Sequence, residues 1–219
     1  MALYYDTNLH TPIVPIGSTF RISGEALQYC IEVGKIRTAE NRKHHVVDRN
    51  YSGRTGEAID LQGVLGEHTF ARLFHVQDMT SDTSLCSHKN DRFDGRIRGK
   101  KVDVKTTVNL HSGLLVTDWK ADNPADAYVL MHITRVGRMG FYQHTTRAMN
   151  EALLDQIAGG TLTDGFVDVT YKGMIPSNIL LRSKYSTIFK KKPAFLSPLT
   201  DLRHWHDIVL LLHPRDDED

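Results

Sequence analysis

The sequence predicts a mixed α/β domain, and three observations carry that expectation. Two helical stretches, residues 24–47 and 57–74, come before any long strand. Residues 93–107 hold two short runs of strand character on either side of Arg98-Gly99, the pattern of a β-hairpin. Residues 128–135 read as one apolar run, as expected of a central strand covered on both faces.

At 219 residues the chain suits one domain with embellishments and is long enough to bury a sizeable core. Apolar residues make up 40% and charged residues 24%, the balance of a soluble globular protein. The net charge of +1 gives no global basic signature for nucleic acid, so any such signal is local. Cys30 and Cys86 have no metal-ligand spacing. That argues against a disulfide scaffold or a zinc ribbon and fits a reducing, cytoplasmic setting. No run of eighteen apolar residues is present, and the N-terminus lacks a basic stretch followed by an apolar one. Neither a membrane span nor a secretory signal is therefore expected.

The first twenty residues read as irregular, broken by Pro12 and Pro15. Ser23 has the chemistry of a helix N-cap. The helix after it carries Leu27, Cys30, Ile31, Gly34 and Thr38 as an apolar stripe. Its later half bears Lys35, Arg37, Arg42, Lys43, His44 and His45. These form a solvated basic face, with phosphate contact, by Lys43 for example, as the functional alternative.

Residues 48–56 are turn-rich. On the second helix, at about 100° per residue, Phe70, Ala71 and Phe74 fall on one side, and Glu67 lies in the middle of it. A carboxylate centred on an apolar face is costly, and implies a buried ion pair, a structural role or a metal site. The metal site is preferred here, because it supplies a third carboxylate to the pair described below. Glu57 shares that face but sits about 15 Å away along the axis. Gly66 weakens the helix and permits a close approach to a sheet or substrate.

Residues 75–91 form a polar loop, and 109–126 an irregular excursion containing Trp119 and Lys120. After the apolar strand, residues 137–140 turn and 141–145 read as a further strand. Residues 147–158 read as a helix stopped at Gly159-Gly160, and 166–171 as a late strand. Residues 176–183 suit helix or strand alike. Lys190-Lys191-Lys192, with Tyr185 and Phe189 nearby, suits nucleic-acid contact or plain surface. Residues 199–212 read as a final helix, with His204 and His206 on different faces, and 216–219 as an acidic tail.

The hairpin carries the chemistry. With Arg98-Gly99 as a two-residue turn, Ile97 faces Lys100, and the pairing runs back until Asp94 faces Asp103. Opposed residues have β-carbons roughly 4.5–5.5 Å apart. Asp103, Lys105 and Thr107 share one face, while Val102, Val104 and Thr106 share the other and pack inward. Two carboxylates in such proximity repel, and a hard divalent cation with oxygen ligands offsets the repulsion. Lys105 beside them is placed to position water or to steady charge on a phosphate. Together these are the parts of a metal-assisted phosphodiester hydrolase.

The order helix carboxylate, strand Asp, then Asp-x-Lys resembles the PD-(D/E)xK nuclease superfamily. Gly66-Glu67-His68-Thr69-Phe70-Ala71 resembles its "GE" helix, Phe93-Asp94-Gly95 stands where "PDG" is common, and Val102-Asp103-Val104-Lys105 stands for the (D/E)xK strand. Phe93 replaces the name-giving proline. The likeness covers roughly residues 50–145. It implies a restriction-endonuclease-like mixed β-sheet flanked by helices, with a core at 49–146. Segment 1–48 would pack on that core and 147–215 would extend it. The resemblance further implies Mg²⁺, with Mn²⁺ able to substitute, held by Asp94 and Asp103. Glu67 would complete the shell and Lys105 would position the water. DNA is the implied partner, and a homo-oligomer is compatible with the likeness. Lys43, Arg96, Lys190, Lys191 and Lys192 are the candidate DNA contacts. His68, Thr106 and Gln143 are further polar candidates near the site.

Two other readings compete. One is a catalytically inactive member of the same fold, retained as a DNA-binding or assembly module. The other is a structural or interaction protein in which Asp94, Asp103 and Lys105 make a surface ion-pair ladder.

Overall fold

The computed structural model describes residues 4–5, 12–43, 53–76, 93–122, 124–141, 145–182, 186–189, 192–204 and 207–208. In chain order the elements begin with β1 (Tyr4–Tyr5), β2 (Pro12–Ile13), β3 (Thr19–Ser23), α1 (Gly24–Lys43), α2 (Gly56–Phe74), β4 (Gly95–Ile97) and β5 (Lys100–Thr107). They continue with β6 (Leu114–Thr117), a 3-10 helix (Asp118–Asp122), β7 (Ala127–Arg138), α3 (Arg147–Ala158), β8 (Gly165–Pro176) and α4 (Ser177–Leu180). β9 (Ser186–Phe189), β10 (Lys192–Ser197) and a second 3-10 turn (Leu199–Asp201) close the order.

The architecture is mixed α+β. A five-stranded sheet runs in the order β3-β8-β7-β5-β4. β5 and β7 are parallel, and the other neighbours are antiparallel. β7 lies in the middle and is buried from Ala127 to Ile133, which accounts for its apolar sequence. Alternation along it divides the core. Val129, Met131 and Ile133 pack with Leu27, Leu61, Phe70 and Leu154 of the helices α1, α2 and α3. Tyr128 and Leu130 point the other way, into a smaller cluster with Leu114, Val116, Leu180 and Leu202. That second layer is a three-stranded sheet in the order β6-β10-β9.

Local chemistry explains the boundaries. Thr55 caps α2 by accepting from the Ala58 amide at 3.2 Å, and Thr146 caps α3 from Met149 at 3.3 Å. Ser23 does not cap α1. It is the last residue of β3, paired with Phe166, and Gly24 at φ +56° turns the chain directly into the helix. The irregular N-terminal expectation is likewise corrected by β1 and β2, which pair with each other, and by β3, which joins the main sheet.

Three later expectations change. Phe141 is 72% exposed and lies outside any strand, because β7 runs on to Arg138 and the chain turns back at Met139-Gly140. The excursion at 109–126 is structured: β6 pairs with β10, a partner remote in sequence. The final helix is replaced at its start by a 3-10 turn, and Arg203 is held extended by backbone bonds to Met174 of 2.8 and 3.0 Å. Leu202 can then seal the second core. Of the sequence-based assignments, Lys190, Lys191, Gln143, Cys86, His206, residues 77–91 and the acidic tail lie outside the described residues.

His132, on β7 opposite Thr107, is fully buried, and its Nε2 lies 3.1 Å from the Ser112 carbonyl. Burial, and then the charge of Lys172, pulls its pKa down to about 4. The folded state therefore binds fewer protons than the unfolded chain below the ordinary histidine value, and stability falls as pH drops through that window. Between pH 7 and pH 5 the loss from this residue is about 2 kcal/mol. Urea unfolding of His132→Leu across this range is expected to show a correspondingly shallower pH slope than the parent. Parallel slopes would remove His132 from the acid response.

Candidate active site

The hairpin forms in the register its sequence implies. Arg98 at φ +49° and Gly99 at φ +77° make the two-residue turn, in the geometry that matches strand twist. Ile97 pairs with Lys100, Arg96 with Lys101 and Gly95 with Val102. Asp94 follows at the next position. Its amide donates to the Val102 carbonyl at 2.8 Å, and its Oδ2 accepts from the Val104 amide at 2.6 Å. The Asp94 side chain thus continues the ladder where β4 has ended, at the edge of the sheet beside Asp103.

Asp103 is 1% exposed. Its Oδ1 contacts the Lys105 ammonium, and its Oδ2 lies 2.8 Å from Lys120 Nζ. Lys120 is itself only 4% exposed. It descends from the 3-10 helix that follows β6, in the layer on the far side of the sheet. Burial alone would raise the Asp103 pKa, but the charges of Lys105 and Lys120 hold it below the ordinary carboxylate range. Tyr128, opposite Asp103 in the parallel ladder, has its phenol pushed up to about 12 by burial and then by the Asp103 charge.

Glu67 stands elsewhere. α2 packs on the face of β5 that carries Val102, Val104 and Thr106, and Asp103 and Lys105 alternate to the opposite face. Glu67 is buried, as its place on the apolar stripe requires, but Arg37 of α1 binds it through two hydrogen bonds of 2.8 and 2.5 Å. Burial lowers the Arg37 pKa, but Glu67, then Asp94 and Asp60, raise it above the ordinary arginine value. Arg37 therefore lies within the field of both Glu67 and Asp94. Of the three roles the sequence allows Glu67, the structure shows the buried ion pair, because an arginine from the neighbouring helix reaches it. Among the described residues, no group of three or more His, Cys, Asp and Glu side chains is arranged to hold a metal ion.

Two of the expected donors, Asp94 and Asp103, remain at the hairpin. Both are carboxylates, opposed one step beyond the Gly95–Val102 pair, and carboxylates are the donor type of which Mg²⁺ commonly takes one or two, filling its shell with water and phosphate oxygens.

A groove of about 890 Å³ opens between α1 and α2, lined by Tyr29, Glu67, His68, Arg72 and His75 among others. His68 stands there between the rings of Phe20 and Tyr29. Thr106 packs against Gly66. Among the expected DNA contacts, Lys43 is exposed and pairs with Glu40. Arg96 is exposed at the hairpin tip and stacks 4.8 Å over Phe93. Lys192 is described only as the first residue of β10.

Arg37 and Lys120 are the cations that reach the candidate carboxylates, a placement the sequence reading did not give either of them. Arg37 had a signal, since it follows Gly34 by three residues and adjoins Thr38 on the buried stripe of α1. Lys120 had none, because the fold of its segment depends on a strand some eighty residues later. Among the described residues no helix is long and apolar enough to cross a membrane. No curated protein and no solved structure matches the chain. One family model matches residues 12–137, a stretch that contains every residue of this site from Arg37 to Lys120, and the chain belongs to that family, described as "Family of unknown function (DUF5843)".

Proposed function

We propose that the protein is a metal-dependent deoxyribonuclease of the PD-(D/E)xK type, with a restriction-endonuclease-like core. The observation that carries this reading is the placement of Asp94 beside Asp103 at the end of β4, with Lys105 on the Asp103 carboxylate. Asp94 and Asp103 would hold Mg²⁺, which polarises a phosphodiester oxygen and lowers the pKa of bound water. Lys105, one third exposed, reaches from the buried carboxylate toward solvent, where it would orient water and balance charge on a phosphate. The Arg37–Glu67 pair would act through Asp94, as a fixed charge that positions it.

The test is a digestion panel of linear, circular, single-stranded and branched DNA with Mg²⁺, using Lys105→Ala as the control. Cleavage of at least one substrate that requires Mg²⁺ and is lost in Lys105→Ala is expected. Absence of cleavage across the panel would defeat the reading. The inactive DNA-binding module draws support from one observation, the two ammonium groups that already neutralise Asp103. It predicts DNA binding that is indifferent to Mg²⁺.

A further inference from the structure

Asp103, the buried carboxylate of the site, already faces two ammonium groups, those of Lys105 and Lys120. The two lysines differ in kind. Lys105 is on the same strand as Asp103, and its side chain is 33% exposed. Lys120 arrives from another layer and is 4% exposed, and its ammonium meets Asp103 Oδ2 in a site closed to water. A divalent cation on Asp103 competes with Lys120 for Oδ2, and it would add positive charge beside two ammonium groups in a poorly solvated place.

Resting on the nuclease reading, we infer that Lys120 is a resident counter-ion of the metal site: its ammonium holds Asp103 Oδ2 until the divalent cation displaces it. Lys120 thereby weakens metal binding in the empty enzyme. An anionic phosphate diester entering with the metal offsets one of its two charges, so DNA favours metal loading.

The experiment is a calorimetric titration of Mg²⁺ into the full-length protein and into Lys120→Met. The variant is expected to bind Mg²⁺ about tenfold more tightly or better. Equal or weaker binding by Lys120→Met, with binding by the parent intact, overturns the role of Lys120 and leaves the nuclease reading standing. No Mg²⁺ binding by either protein overturns both. Should Lys120→Met fail to fold, the unmodified protein carries the test through acetylation of its lysines, followed by mass spectrometry with and without saturating Mg²⁺. Lys120 is expected to be protected without metal and to become several-fold more reactive with it, while exposed lysines such as Lys43 stay constant. Equal protection of Lys120 in both conditions, with Mg²⁺ bound, overturns the inference.

Discussion

Asp103→Asn is expected to lower Mg²⁺-dependent DNA cleavage by about 10³-fold or more while leaving DNA binding intact or tighter. The substitution keeps the shape of the side chain and removes its charge. Asp103 is the most buried charged group at the site, and its oxygens are the ones that Lys105 and Lys120 hold in place. Loss of that charge removes half of the carboxylate pair and unseats both lysines. Binding survives because the contacts to a phosphate backbone come from cations, and removing a negative charge favours them. A thermal melt run beside the assay separates lost chemistry from lost fold. Retained cleavage by a folded Asp103→Asn protein would end the assignment of this hairpin as the active site.

Gly66→Ala is expected to destabilise the fold by about 3 kcal/mol, measured by urea unfolding. The sign is the informative part, since Ala in a helix is ordinarily about 1 kcal/mol better than Gly. Here a methyl group would overlap Thr106 Oγ1 and come within 2.9 Å of Thr106 Cβ. The approach of α2 to β5 is also pinned by Gln62, whose Nε2 donates to the Thr106 carbonyl at 2.5 Å. Neither element can retreat without breaking that bond and opening the core around Val104 and Leu65. Thr106→Gly removes the obstruction, so the double variant is expected to lose less than the sum of the single changes, by about 1 kcal/mol or more. Simple additivity, or a Gly66→Ala protein more stable than the parent, would show that the contact yields.

The parts of this molecule that were legible in its sequence are those governed by short-range rules. The span of α2, the helix ended by Gly159-Gly160 and the central position of β7 all follow from periodicity and capping residues a few positions apart. The close approach at Gly66 was legible too, because a glycine on a buried helical stripe has few other uses. Ser23 failed as a cap because β8 claims its backbone, and the 109–126 segment failed as a loop because β10 pairs with its strand. In each case a partner from far along the chain overrode the local preference.

The same division runs through the site. Side-chain alternation and a two-residue turn with two left-handed residues were enough for the sequence alone to determine that Asp94 lies beside Asp103 and that Lys105 shares its face. Tertiary structure alone decided which charges meet: Arg37 of α1 pairs with Glu67, and Lys120 enters from the second layer to meet Asp103. Pairing between charges depends on distance through space and on the exclusion of water, and neither is encoded in the spacing of residues along a strand or a helix.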